Sequence, residues 1–259
     1  MWTGIDGLDA SLERLVDHAR GVYGDGFIGA YLQGSFALGG ADAESDCDFI
    51  VVTAKPTDNE QLERLRAFHG ALPHNDGYWE KHLEGSYAPA DELVDIRQLG
   101  RAWPYVDHGS DKVILDPHCD TEVTRWILHH HGVTLAGPNP RTLVPEVPAG
   151  MMRAAARRSL DTATQTWRSG YPWDAWSQRY AVVTMPRLFR TLTAGDVVSK
   201  SDGVHWALQV LDARWHPLLT TALARRGQRP WGGAIDSDLA LRTEEFIVYV
   251  GDLASGTFT

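Results

Sequence analysis

The segment GPNPRTLVPEVPAG places four prolines between Gly137 and Gly150, and it constrains what this chain can fold into more than any other stretch. Proline lacks a backbone N–H and fixes φ, so neither a helix nor a central strand continues through such a run. The apolar patterns on its two sides differ in kind. Before it, the helical spacing of Leu8, Leu12, Leu15, Val16 and Ala19 gives way to short extended runs: FIGAYLQ (Phe27 to Gln33), the β-branched CDFIVVTA, YWEKHLEGSY, ELVDIRQL and KVILD (Lys112 to Asp116). After it strand signals vanish. Met151 to Trp167, Gln178 to Thr193, Asp202 to Leu211 and Asp238 to Leu253 all carry apolar residues at helical spacing. The expected fold class is therefore α+β, with a mixed sheet and flanking helices over residues 1–140 and a helical bundle over residues 150–259.

A chain of 259 residues can bury two such cores, and 43% hydrophobic with 22% charged residues is ordinary for a globular protein. No stretch approaches the roughly 20 apolar residues that span a bilayer, so no membrane role is expected. The start, MWTGIDGLDA, lacks the basic and apolar regions of a secretion signal, and the expected location is the cytoplasm. Cys47 and Cys119 supply neither a disulfide framework nor a zinc pattern and read as small core residues. A formal net charge of −10 repels polyanions, which argues against nucleic acid as a partner and suits a cationic small-molecule acceptor.

The chemistry concentrates in Gly34-Ser35 and in Asp46-Cys47-Asp48 at the head of a β-branched run. In a strand, residues i and i+2 share a face, so Asp46 and Asp48 project together while Cys47 and Phe49 turn to the core. Two adjacent carboxylates repel unless a hard cation relieves them, and Mg2+ favours few carboxylates completed by phosphate and water. In YWEKHLEGSY the same period leaves both Glu80 and Glu84 as candidates for a third acid. Gly34 and Ser35, at a strand-to-helix turn, can offer N–H groups and a hydroxyl to phosphate oxygens.

Each motif alone is an ordinary turn or a solvated strand end. Together they resemble the nucleotidyltransferase superfamily that includes DNA polymerase beta. YLQGSFALGGADAESDCDFIVV is similar to the corresponding stretch of the streptomycin and spectinomycin adenylyltransferases, and HLEGS resembles the place of their catalytic glutamate, which selects Glu84 over Glu80. GVTLAGPNP and RYAVVTMPRLFRTLTAGDVVSKSDGVHWALQVL resemble that family's domain connection and second-domain helices. The resemblance implies an N-terminal nucleotidyltransferase domain followed by a helical domain, with two substrates aligned in a cleft between them. It implies transfer of AMP from ATP to a hydroxyl of an aminoglycoside or aminocyclitol, with release of pyrophosphate. Asp46, Asp48 and Glu84 would hold two Mg2+ ions, Glu84 would act as base, and Gly34, Ser35, Asp120, Arg187 and Lys200 would bind the nucleotide. Trp103, Trp167 and Asp174 would contact the acceptor, beside an aromatic group that also includes Tyr171, Trp173 and Trp176. A monomer is expected. The alternative is a nucleotidyltransferase acting on another metabolite or on a protein.

Pro186 falls inside the helix expected to carry Arg187, and an interior proline costs about 3 kcal/mol or kinks the helix. Ser177 stands where the family has an aspartate. Gly24-Asp25-Gly26-Phe27-Ile28-Gly29 fits GxGxxG but precedes a strand, which excludes a dinucleotide-binding turn. His129, His130 and His131 are consecutive, point in different directions on a helix, and read as a helix end favourable to histidine.

Overall fold

The alternating patterns of the first half resolve into six strands: β1 (Phe27–Leu32), β2 (Cys47–Thr53), β3 (Leu83–Pro89), β4 (Trp103–Val106), β5 (Val113–Asp116) and β6 (Val133–Ala136). The computed structural model describes residues 1–42, 45–74, 77–168, 174–226 and 237–256. The strands form one mixed sheet in the order β5-β4-β3-β2-β1-β6. Among these pairs only β2 and β3 run parallel, with Asp48 directly opposite Glu84. A parallel pair needs a crossover. Here the crossover carries α3 (Asn59–Ala71), which Asp58 opens with a capping box to Gln61. The remaining helices of this half are α1 (Asp6–Tyr23), α2 (Gly34–Ala37), α4 (Ala90–Val94) and α5 (Glu122–His131).

The sheet has a core on each face. Leu8, Leu12, Leu15 and Ala19 of α1 pack with Cys47, Phe49 and Val51, and each buried leucine contributes about 1.5–3 kcal/mol. On the other face Tyr31, Ile50, Val52, Trp103, Cys119 and Leu128 form a second cluster. Both cysteines are buried and unbridged. Within the first core His69 is fully enclosed, its Nε2 lying 2.7 Å from the Tyr87 hydroxyl.

Two extended readings are corrected. ELVDIRQL is not a strand: Pro89 leads into the helix α4, whose first turn carries Asp91 and Glu92, and Leu93 is buried while Val94 is exposed. Acids at a helix start are favourable, and they outweigh the weak alternation of Leu93, Val94 and Ile96. YWEKHLEGSY breaks into a 3-10 turn at Trp79–Lys81 and a strand that begins only at Leu83. The missed strand WPYV forms despite Pro104, and Gly24–Gly26 makes a 3-10 turn ahead of β1.

The second half is helical as read: α6 (Ala149–Arg168), α7 (Ala175–Ala194), α8 (Lys200–Val210), α9 (His216–Arg225) and α10 (Ser237–Gly256). Helix α9 was not anticipated; Pro217 sits in its first turn, where a missing N–H costs nothing. Helix α7 continues through Pro186 to Gly195, whose left-handed φ of 81° ends it. The core of this half gathers Leu160, Val183, Leu219, Phe246 and Val250.

By backbone contacts the chain divides into two compact units, Met1–Gly39 with Ser45–Val147, and Gly40–Glu44 with Pro148–Thr259. The short Gly40–Glu44 segment counts with the helices. A Cβ on Gly40 would collide with the Ser199 side chain, and the Arg226 guanidinium donates to the Asp42 carboxylate. No helix among the described residues is long and apolar enough to cross a membrane.

Candidate active site

The parallel pairing of β2 with β3 brings the expected acids together. Asp46 immediately precedes β2, Asp48 is its second residue, and Glu84 is the second residue of β3. Cys47 and Phe49 are fully buried beneath them, so the alternation read from Asp-x-Asp holds. The turn Gly34-Ser35 starts the one-turn helix α2 and lies against Asp48. Gly34 has φ +60°, and a Cβ there would collide with the Asp48 carboxylate. The preceding N–H, of Gln33, donates to the Asp48 carbonyl at 2.9 Å. The Ser35 hydroxyl is buried with no hydrogen-bond partner among the described residues.

Three residues at this site carried no sequence signal. The Tyr105 hydroxyl lies 2.9 Å from Glu84 Oε1 and 3.1 Å from Asp107 Oδ1. His118 Nε2 is 3.1 Å from the same Glu84 oxygen, and its ring stacks on Tyr105. His108 Nδ1 pairs with Asp46. These partners set the titration of the imidazoles. The hydrogen bond to Glu84 raises His118 above the ordinary histidine value, against the opposing effect of burial. Burial opposes the charged form of His108 most strongly, yet the Asp46 hydrogen bond and charge, with Glu84 and Asp107, raise it as well. Burial, then the Glu84 charge, pushes the Tyr105 phenol up, so it remains a donor. All three arrive from β4, β5 and the loops that follow them, far along the chain from Asp46.

Among the described residues no group of three or more His, Cys, Asp or Glu side chains stands as a ready-made metal cage. The donor set still fits Mg2+, because Asp46, Asp48 and Glu84 are hard oxygen donors and this ion takes much of its shell from phosphate and water. Glu80 is not part of the set; it pairs with Arg14.

The other expected residues fall in different settings. Asp120 is enclosed, with 0% of its side chain exposed; it faces Arg125 at 2.5 Å and accepts the Arg101 N–H at 2.6 Å. Trp103 is 2% exposed, donates its Nε1–H to Glu92 and lies under the Arg125 guanidinium. Neither side chain is presented to solvent. In the helical unit, Lys200 opens α8 after the cap Ser199, and its ammonium sits 4.6 Å from the Tyr180 ring centroid. Arg187 is half-buried on α7. Asp174 is the N-cap of α7, bonded to the N–H and hydroxyl of Ser177, which lower its pKa. Trp176 stacks on Tyr180. The Trp167 side chain and the whole of Tyr171 and Trp173 lie outside the described residues. His129, in the last turn of α5, has its Nδ1 2.7 Å from the Val144 carbonyl.

Comparison with known proteins adds a likeness in both halves. A family model of the aminoglycoside adenylyltransferase C-terminal domain matches residues 142–239. The chain is 23% identical over 225 residues to spectinomycin 9-adenylyltransferase of Campylobacter jejuni, covering 82% of each chain. It is 28% identical over 240 residues to aminoglycoside (3'') (9) adenylyltransferase of Escherichia coli, covering 86% of each. In fold it is similar to the crystal structure of spectinomycin adenyltransferase AAD(9) from Enterococcus faecialis with ATP and spectinomycin. That likeness has a TM-score of 0.71 at 14% identity and covers 94% of this chain and 99% of the other.

Proposed function

We propose, taking as premise that the chain belongs to the aminoglycoside adenylyltransferase family, that it moves AMP from Mg-ATP to a hydroxyl of an aminocyclitol antibiotic such as streptomycin or spectinomycin. It is an aminoglycoside nucleotidyltransferase. One observation carries the finer reading: Asp48 and Glu84 are register partners on adjacent parallel strands, with the Gly34-Ser35 turn pressed against Asp48. In this reading the turn binds phosphate, Asp48 binds the cation and Glu84 is the base.

In this reading the acceptor oxygen attacks the α-phosphorus of ATP and the bond from that phosphorus to the β-phosphate bridge oxygen breaks. Pyrophosphate leaves as the hydroxyl proton passes to Glu84. Ser35 and the N–H groups of its turn hold phosphate oxygens, and the Ser35 hydroxyl has its hydrogen available for one. Asp46 and Asp48 would hold Mg2+, which when bound offsets the triphosphate charge. Lys200 and Arg187 supply the cations that a chain of net charge −10 needs for a polyanion. Asp174 and Trp167 serve the acceptor. The protein acts as a soluble monomer of the cytoplasm.

The test is pyrophosphate release from Mg-ATP against a panel of streptomycin, spectinomycin and related aminocyclitols, with mass spectrometry for the added AMP. A drug-dependent adduct supports the reading. Silence across the panel with ATP still bound would sink it and redirect the search to another metabolite or a protein acceptor.

A further inference from the structure

We propose that Tyr105 is a positioning residue that holds Glu84 by its Oε1 atom and so leaves Oε2 as the atom that takes the acceptor's proton. The inference rests on the reading of Glu84 as the general base. Glutamate has three rotatable side-chain bonds, and a base serves only when its oxygen stays within hydrogen-bond reach of the reacting hydroxyl. Something must therefore fix it. The phenol is well suited: Tyr105 is 4% exposed in the short strand β4, paired with Ser86 on one side and Ile114 on the other, so its ring cannot swing. Its hydroxyl has one hydrogen and two carboxylates in range, Glu84 Oε1 at 2.9 Å and Asp107 Oδ1 at 3.1 Å. Asp107 Oδ1 already accepts the His108 N–H at 2.9 Å, and the shorter contact to Glu84 takes the phenol hydrogen.

His118 reinforces the choice of oxygen. Its Nε2 also approaches Oε1, at 3.1 Å, while its ring stacks on Tyr105 with centroids 4.9 Å apart. Both groups thus converge on one carboxylate oxygen. An oxygen bonded to two donors is a poorer base than its partner, because its lone pairs are already engaged. The working atom is then Oε2, and Tyr105 sets its direction without touching substrate.

The test is Tyr105→Phe, which keeps the ring and removes only the hydroxyl. The expected result is a fall in kcat of about 10- to 100-fold, with KM for ATP and acceptor and the melting temperature held. In a Glu84→Gln background the same substitution should cause no further loss, since the group it positions is gone. An unchanged kcat, or an equal loss in both backgrounds, would overturn the proposal. A second measurement needs neither turnover nor a Tyr105 variant. The ultraviolet resonance Raman difference between Asp107→Asn and Asp107→Asn/Glu84→Gln should show one tyrosine losing its bond to a charged acceptor; an unchanged tyrosine signal would overturn the proposal. A wild type that transfers AMP to no acceptor would count against the functional reading alone, and the Raman difference would still decide whether Tyr105 holds Glu84.

Discussion

Glu84 and Asp120 are both carboxylates of the first unit, each in contact with a nitrogen base, and their surroundings differ. Asp120 is sealed: its partner Arg125 has 0% of its side chain exposed and also donates to the carbonyls of Leu93 and Glu92. Burial lowers the Arg125 pKa, and the charge and hydrogen bond of Asp120 oppose that shift. Glu84 keeps 13% of its side chain exposed, and its imidazole partner His118 keeps 58%. Asp120 is enclosed, facing a buried guanidinium and accepting one backbone N–H. Glu84 is held by two neighbours at Oε1 and stays partly exposed.

Substitution at the two sites should separate along that line. The largest effect is expected from Glu84→Gln, with a loss of about 10²- to 10⁴-fold in kcat, unaltered melting and retained Mg-ATP binding. Asp120→Ala should do the reverse, lowering stability by about 3–5 kcal/mol in a urea titration because Arg125 is left buried without its counter-charge. Should Asp120→Ala instead raise KM for ATP with stability intact, the contrast would collapse and the nucleotide contact implied by the family resemblance would return.

A third buried partnership, His69 with Tyr87, carries no charge and sharpens the comparison by its pH response. Burial lowers the His69 pKa to about 3 from an ordinary 6.5. Above pH 6.5 both folded and unfolded chains leave it neutral, and it makes no pH-dependent contribution. Between 6.5 and 3 the unfolded chain takes up a proton that the folded one refuses, so stability falls as the pH drops, by about 2 kcal/mol at pH 5. Urea midpoints at pH 7 and pH 5 should show this loss in the wild type and not in His69→Gln.

The smallest effect concerns Asp174. As an N-cap, its replacement by alanine should cost about 1 kcal/mol, while Asp174→Asn preserves the cap. If Asp174→Asn keeps the melting temperature but raises KM for a cationic acceptor, the carboxylate serves binding as well as capping. An unchanged KM would leave it a cap alone.

Much of this was legible in the chain. Asp46 and Asp48 follow from a spacing of two on a β-branched run, and the two-part organisation follows from the prolines after Gly137. Periodicity could not separate Glu80 from Glu84, because the 3-10 turn at Trp79–Lys81 breaks the register between them. Tyr105, His108 and His118 were invisible for a different reason. Their position depends on β3 pairing with β4 and β4 with β5, contacts that no local pattern encodes. Trp103 and Asp120 have side chains suited to ligands, but the sequence does not reveal that they meet Arg125 in a core.

The five residues Gly40–Glu44 carry a consequence for how such a protein can evolve. They lie between the Gly34-Ser35 turn and Asp46 in the chain, yet they fold with the helices, where Asp42 receives Arg226. The helical unit is therefore not a cassette that begins at Pro148. A recombination joining a new set of helices after the proline-rich segment would inherit the old loop with them. Its first incompatibility would arise at Ser199 and Arg226, far from the point of exchange, so that replacing the helices as a whole is harder here than substitution within them.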